Sequence, residues 1–325
     1  MPFGLRYSVS FLFLSLVFCS CKKDLLHFQN VTQINSNTTT DRLNKILFTD
    51  NTNGFVVGGQ RFMRATMLTT RDGGYTWNNR SFPQDGKEIF NIAKGFGNKI
   101  YTIGFESKVL VSSDTGKNWV FRQMGFGQPL TAITYISPNL GIAVGGISFD
   151  AGYFTRIDSN AGIITWDSLG YQLNDIKMVS PQSGYICGYG VMKKTTDSGK
   201  TWNVQQLYGD NFTAIYIITE NDVWVCGKNG GIFHTNDGGN SWSTMRNGNN
   251  LLLAQYHLND IVFIDDMNGW CVGDNGLVIR TDDGGIHWME YDKFTGNALY
   301  GITKCPNGDL MVCGESGALY RLSVN

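Results

Sequence analysis

The sequence predicts an all-β fold built from many short strands, and three observations carry that prediction. Glycine accounts for 40 of the 325 residues, about 12% against a usual ~7%, so tight turns are frequent. Charged residues make up 16% of the chain, well below the ~25% of an average soluble domain. Glutamate, a leading helix former, occurs only at Glu88, Glu106, Glu220, Glu290 and Glu315. This composition argues against a helical bundle and against a doubly wound α/β fold. A formal net charge of −1 leaves no basic face to neutralise phosphates, which argues against nucleic acid as a partner.

The strands are ordered by an internal repeat of about 43 residues. Five segments share one pattern, S/T-x-D-x-G-x-T-W: TRDGGYTW (70–77), SSDTGKNW (112–119), TTDSGKTW (195–202), TNDGGNSW (235–242) and TDDGGIHW (281–288). A sixth, stretched copy is expected within TRIDSNAGIITW, using Asp158, Gly162, Thr165 and Trp166. An apolar residue three positions before an isoleucine opens each unit, at Leu43, Ile89, Leu130, Leu173, Phe212, Leu258 and Leu299, so there are seven units. Each unit reads as an alternating strand, a turn, a strand ending in Gly (Val223-Trp224-Val225-Cys226-Gly227), a third strand entering the Asp motif, and a fourth after the Trp. Four short antiparallel strands at this period describe a propeller blade. The seventh unit stops after its third strand at Arg321, and a strand-like segment, Leu26–Val31, precedes the first unit. That segment is expected to complete blade seven, because an open ring leaves an unpaired edge. The prediction is therefore a single seven-bladed β-propeller over residues 42–325, ring closed by an N-terminal strand, with residues 21–41 as anchor, closing strand and linker.

Within the Asp motif the expected roles are structural. The carboxylates of Asp72, Asp114, Asp197, Asp237 and Asp283 accept backbone amides across a turn. Glycine there supplies positive φ, and Trp77, Trp119, Trp202, Trp242 and Trp288 cover the turn and bury large rings against the neighbouring blade. The spacing lacks the alternating carboxylates of an EF-hand loop, and the four histidines show no metal or catalytic spacing. No metal and no cofactor are expected.

Residues 1–20 read as an address. Arg6 precedes an apolar run from about Val9 to Cys19, too short for the ~20 residues of a membrane-spanning helix and shaped like a secretory signal. Ser20-Cys21 resembles a lipoprotein cleavage box, although Phe18 stands where leucine is usual, and Lys22-Lys23-Asp24 is similar to the charged segment of Bacteroidota-type lipoproteins. The resemblance implies lipidation at Cys21 and membrane attachment through that lipid, in the bacterial cell envelope at the outer membrane. The remaining cysteines, Cys187, Cys226, Cys271, Cys305 and Cys313, have no paired spacing and read as apolar packing residues. Centring the 306–309 turn on Asn307-Gly308 pairs Cys305 with Leu310.

The combination L-x-x-I-x-F … G-h-h-V-G … S/T-x-D-G-G-x-T-W over residues 42–321 resembles the BNR/Asp-box superfamily, and within it the photosystem II assembly and stability factor-like group. That resemblance implies a non-enzymatic propeller acting as a protein-binding or assembly platform. Sialidases share the Asp-box, but their Arg-Ile-Pro motif is absent, the equivalent stretch reading Gln60-Arg61-Phe62-Met63-Arg64, and no glutamate stands as an obvious partner for a nucleophilic Tyr. The alternative is a carbohydrate-binding or glycoside-hydrolysing propeller, whose glycan would want tryptophans on the binding face.

Strand alternation sorts the loops. Asp-box turns share one face with the turns between strands one and two. The loops between strands two and three share the other with the connectors between blades. Two loops on that second face look enlarged, Gly58–Arg64 and Gly145–Tyr153, and connectors add Phe126 and the run 249–256. Arg61, Phe62, Arg64, Phe126, Phe149, Asp150, Tyr153, Leu252 and Tyr256 are the candidate binding residues there, since aromatics and arginines dominate hot spots and loops carry function. Two readings stand: an interaction surface for an envelope protein, or loops that fold over the ring and pack against themselves. Asn44-Lys45, Asn174-Asp175 and Asn259-Asp260, near the starts of first strands, mark the central channel as a third place, for a small ligand or for water alone.

Overall fold

The computed structural model describes residues 25–34, 39–80, 87–125, 127–250 and 255–324. They form seven four-stranded antiparallel sheets arranged as the blades of a propeller. The first strands are Arg42–Phe48, Ile89–Lys94, Leu130–Ser137, Leu173–Met178, Phe212–Ile217, Leu258–Phe263 and Leu299–Lys304, each containing its repeat-opening residue. Second strands such as Val223–Gly227 and Gly269–Gly273 are buried along their whole length. Both faces of a blade lie against neighbouring blades, so these strands are continuously apolar rather than alternating. The core is accordingly a ring of inter-blade layers: one cluster joins Val56 and Leu68 of blade one to Met311 and Leu319 of blade seven, another joins Trp224 of blade five to Phe263 and Ile279 of blade six.

Blade seven is closed by the N-terminus, but by a strand set later than the sequence suggests. The closing strand is Val31–Gln33, pairing Val31 with Leu322 and Gln33 with Tyr320. Of the expected Leu26–Val31 segment only Val31 joins it. Leu26 instead makes an isolated parallel bridge to Tyr291 on the rim of blade six, and Phe28 stacks on Tyr291 with ring centroids 3.7 Å apart. The N-terminal segment thus clasps blade six before completing blade seven, because its two apolar residues find a better seat against Tyr291 and Phe294 than in an edge strand.

Five Asp-boxes share one geometry. In the fourth blade Asp197 accepts from the Thr201 amide at 2.9 Å and the Thr201 hydroxyl at 2.6 Å, and from the Thr195 hydroxyl at 2.8 Å. The Thr195 oxygen in turn accepts the Gly199 amide at 3.0 Å. Four of the five box tryptophans pack against an aromatic of the preceding blade, as Trp119 does on Phe55 and Trp242 on Tyr185, while Trp77 meets Phe48 of its own blade. A cation from the preceding blade often caps the box glycine: Arg80, Arg156, Lys194 and Arg321 donate to the carbonyls of Gly116, Gly199, Gly238 and Gly73. Hydrogen bonds led by the Thr201 and Ser241 hydroxyls hold Asp197 and Asp237 down at about 2. A carboxyl whose pKa is lowered by folding contributes stability above its ordinary 3.8 and loses it as pH falls through the folded value. Thermal melts between pH 5 and 2 are therefore expected to show a steep loss below 3.8, blunted in an Asp197→Asn/Asp237→Asn variant.

The expected sixth copy does not form a full box, although Asp158 Oδ1 still accepts the Asn160 and Gly162 amides at 2.7 and 2.9 Å. Asp158 to Gly162 form a tight hairpin turn closed by the Asp158 amide on the Gly162 carbonyl at 2.8 Å, and Trp166 lies within the strand Ile163–Leu169, 49% exposed. With no residues left for the box loop, the strand runs straight out of the turn. The 306–309 turn also differs: Lys304, not Cys305, pairs with Leu310, and the Cys305 amide bonds the Asp309 carbonyl. The five cysteines named above are free and buried.

The channel candidates are occupied in holding the ring together. Asn44, Thr131, Asn174, Thr213 and Asn259 each follow a repeat-opening residue and donate to a first-strand carbonyl of the next blade, at 2.7–3.1 Å. Asp175 and Asp260 accept the amides of Ile215 and Ile302 in the blades that follow theirs. Lys45 then reaches across the channel to Asp260 at 2.7 Å, beside a cavity of about 360 Å³. A repeat of small polar side chains at one register therefore serves assembly of the ring.

Candidate functional site

The sorting of loops by face holds. Box turns bond the turns between strands one and two, as in Gly73 to Thr52 and Gly238 to Asn221. On the opposite, connector face the loops between strands two and three bond the connectors, as in Glu88 to Arg61, Gln172 to Phe149 and Asp274 to His257.

On that face the two enlarged loops are mostly strand. Gly54–Gln60 and Arg64–Thr70 leave only three residues at the tip, Arg61, Phe62 and Met63. Leu140–Ser148 and Ala151–Ile157 leave only Phe149 and Asp150. What reads as loop length is hairpin length, because alternating strands continue outward past the ring and lift apolar tips into solvent. Phe62 is 63% exposed and sets its edge on Phe105 of blade two, centroids 4.7 Å apart, with the Lys87 ammonium 5.5 Å from its ring. Phe149 is 60% exposed and leans on Tyr189 of blade four at 4.6 Å.

The other expected residues take different places. Arg64 is committed to the buried carboxylate of Asp41, with Nε 2.7 Å from Oδ2. Burial raises Asp41, but hydrogen bonds from Arg64 and Thr66 outweigh it and hold the group down. Asp150 takes the Ser148 hydroxyl. Tyr153 is half-buried in a strand between blades two and three. Tyr256 donates its hydroxyl to Glu290 and carries the Arg246 guanidinium 4.4 Å above its ring. Cys21, Phe126 and Leu252 lie outside the described residues.

Between these features run two adjoining clefts. The first, of about 700 Å³, is walled by Phe149 and Tyr189 and floored by Asp210, Asn211 and Lys228. The second, of about 490 Å³, is lined by Tyr256, Asp274, Lys293, Tyr300 and Glu315. His257 belongs to both, its Nδ1 3.1 Å from Asp274 Oδ2. Burial lowers the Lys228 ammonium pKa, and Lys228 donates to Asn259 beside Asp274. Burial likewise raises Asp210, against amides from Asn229 and Gly231. Arg42 lies 3.7 Å over the Tyr300 ring, and Tyr300 donates to Glu315 at 2.9 Å.

The fold therefore supplies two tyrosine–glutamate pairs that the sequence did not suggest, Tyr300–Glu315 and Tyr256–Glu290. The partners stand 15 and 34 residues apart, each pair within one blade or the connector leading into it, at spacings that mark no motif. Burial, countered by Arg42 and reinforced by Glu315, pushes the Tyr300 hydroxyl up to about 12, so it keeps its proton and is poorly suited as a nucleophile. Most cleft residues, including Tyr189, Lys228, Asp274 and Tyr300, come from short loops and strand ends. Loop length was the wrong signal for them, because concavity arises where minimal loops sit beside tall hairpins. Among the described residues no cluster of three or more His, Cys, Asp or Glu could hold a metal ion, and no helix is long and apolar enough to cross a membrane.

The family described as Photosynthesis system II assembly factor YCF48 matches residues 26–139 and 164–253. The chain belongs to the YCF48 family. The segment between the two matched stretches, 140–163, covers the tall hairpin of blade three and its turn without an Asp-box. Photosystem II assembly lipoprotein Ycf48 of Synechococcus sp. (strain CC9902) is 27% identical over 203 residues, 59% of this chain and 58% of that protein. Photosystem II stability/assembly factor HCF136 of Arabidopsis thaliana is 39% identical over 70 residues, 20% of this chain and 16% of that protein. The chain thus aligns with less than two thirds of either relative's length. The solved structure of YCF48 bound to D1 peptide superposes with a TM-score of 0.69 at 19% identity, covering 94% of this chain and 98% of that one; at that identity the likeness speaks for the YCF48 fold.

Proposed function

We propose that this protein is a non-enzymatic lipoprotein of the bacterial envelope, attached through Cys21, that holds an extended segment of another envelope protein against its connector face. The observation that carries the reading is the pair of adjoining clefts sharing His257, walled on one side by the exposed Phe149–Tyr189 pair. Concave sites with aromatic walls and a few placed polar groups are the usual form of a recognition site. Here Lys228, Lys293, Asp274 and Glu315 provide both signs of charge for a polar main chain, while Phe149 and Tyr189 offer apolar contact. Membership of the YCF48 family supports a binding rather than a catalytic role, and the solved YCF48 with its D1 peptide is a relative of that kind. A name of lipoprotein on the Synechococcus relative supports the anchor. Tryptophan, the residue a glycan site would want, is not among the residues lining these two clefts.

The test is in-cell cross-linking followed by recovery of the tagged protein. A stoichiometric envelope protein is expected with wild type and about tenfold less with Phe149→Ala/Tyr189→Ala, as for a pair of aromatic anchors. An Arg61→Ala/Phe62→Ala variant reports whether the blade-one tip shares the surface. Recovery unchanged by the Phe149/Tyr189 pair removes the clefts from the proposal. No partner in any sample, with retention of the protein on a glycan array, shifts the assignment to carbohydrate.

A further inference from the structure

The rims of the blades are not alike. Fourth strands are short in blades one, two, four, five and six, as in Asn78–Arg80, Val120–Gln123, Asn203–Val204, Ser243–Arg246 and Met289–Glu290. Blade three ends instead in the seven-residue strand Ile163–Leu169, for which the described residues supply no outer neighbour. Short or charged edges are the usual protection against strand pairing between molecules. This edge has neither. It carries no proline, one charge at Asp167, and two large apolar side chains that are each about half exposed, Ile164 at 52% and Trp166 at 49%. It exists because the box is missing: the tight Asp158–Gly162 turn lets the strand begin at once and run the length of Ala151–Ile157.

We propose that the Ile163–Leu169 strand is a self-association edge, on which a second copy of this chain pairs the same strand antiparallel to make one continuous eight-stranded sheet. The strand is complementary to itself. A two-fold axis at Thr165 sets Ile164 opposite Trp166 of the other copy, twice over. Aromatic with β-branched is among the favourable cross-strand pairs. The same register puts Asp167 opposite Ile163, so no like charges meet. A shift of the axis to Trp166 keeps that property, placing Asp167 opposite Thr165. The formal net charge of −1 removes the general repulsion that keeps two copies apart. The connector face with its two clefts lies at the strand ends, so rim pairing leaves it open.

Variants of the full chain that each add one exposed cysteine, Thr165→Cys and Trp166→Cys, test this directly, the five free cysteines of the described residues being buried. At least one is expected to form a disulfide-linked homodimer in cells, because residues directly opposite in an antiparallel pair bring their Cβ atoms within about 5 Å. Val204→Cys, 57% exposed on the rim of blade four, is expected to stay uncross-linked. Sedimentation of the detergent-solubilised wild type is expected to show a concentration-dependent dimer. Ile164→Lys/Trp166→Lys is expected to weaken that dimer by about tenfold or more, since it brings like charges opposite each other, with an unchanged melting temperature as the control for folding. A protein that sediments as monomer throughout, without homodimeric cross-links, overturns the proposal. So does a cross-link from Thr165→Cys or Trp166→Cys to a different protein.

Discussion

Asp260→Ala is expected to lower stability by about 3–5 kcal/mol, the usual cost of breaking a buried ion pair from one side. The carboxylate is 3% exposed and carries three loads at once: the Ile261 amide, the Ile302 amide of blade seven, and the Lys45 ammonium of blade one across the channel. Alanine orphans two amides and leaves Lys45 facing only Asp175 as a counter-charge. The measurement is a urea titration, in which the midpoint falls while the slope stays constant. Asp260→Asn, which keeps the shape and one acceptor, loses less. A loss below about 1 kcal/mol for the alanine variant would mean that water in the channel screens the pair as it does at a surface. The pH dependence gives an independent check. Burial depresses the Lys45 pKa, but Asp260 and Asp175 outweigh it and leave the group raised above 10.5. A raised cation contributes its stability fully below 10.5 and loses it as pH climbs through the folded value. Wild type is therefore expected to lose stability above 10.5 more steeply than Lys45→Met.

Gly285→Ala is expected to cost about 2–5 kcal/mol, from left-handed backbone strain together with overpacking of a filled core. The glycine has φ +86° and a Cβ built on it would lie 2.3 Å from the Trp224 ring of the preceding blade. Gly116 repeats the arrangement at φ +84°, 2.2 Å from the Phe55 ring. These glycines are the seats on which aromatics of one blade rest against the box of the next. Gly97 separates the two contributions, because it has φ +62° and a methyl added there would meet nothing within 4 Å. Gly97→Ala is expected to cost only about 1–2 kcal/mol, the strain alone. Equal melting-temperature losses for Gly97→Ala and Gly285→Ala would remove the packing argument.

Much of this was legible in the residues. The apolar positions from Leu43 to Leu299 open all seven first strands, and five Asp-boxes fold as their spacing implies. The stretched sixth copy failed because the motif depends on a fixed loop length: once Asp158 closes a turn on Gly162, Trp166 is carried into a strand. Leu26 and Phe28 mislead for a related reason. Their apolar character is plain in the sequence, but whether an apolar residue joins an edge strand or docks on a neighbouring rim depends on what lies opposite, here Tyr291.

The number of blades, the face on which each loop lies and the role of the box aspartates could be read from the residues alone. All of these follow from local periodicity and from turns whose hydrogen bonds close within a few residues. Other features emerge from the folded ring: Asn44, Asn174 and Asn259 join one blade to the next, Arg64 belongs to Asp41, and Tyr300 meets Glu315. In a closed ring the walls of a cleft come from several blades. Between blades, which polar side chain faces which is fixed by the rotation from one blade to the next. Within a blade, as for Arg64–Asp41 and Tyr300–Glu315, it is fixed by how the loops at the strand ends turn back, and the local spacing states neither.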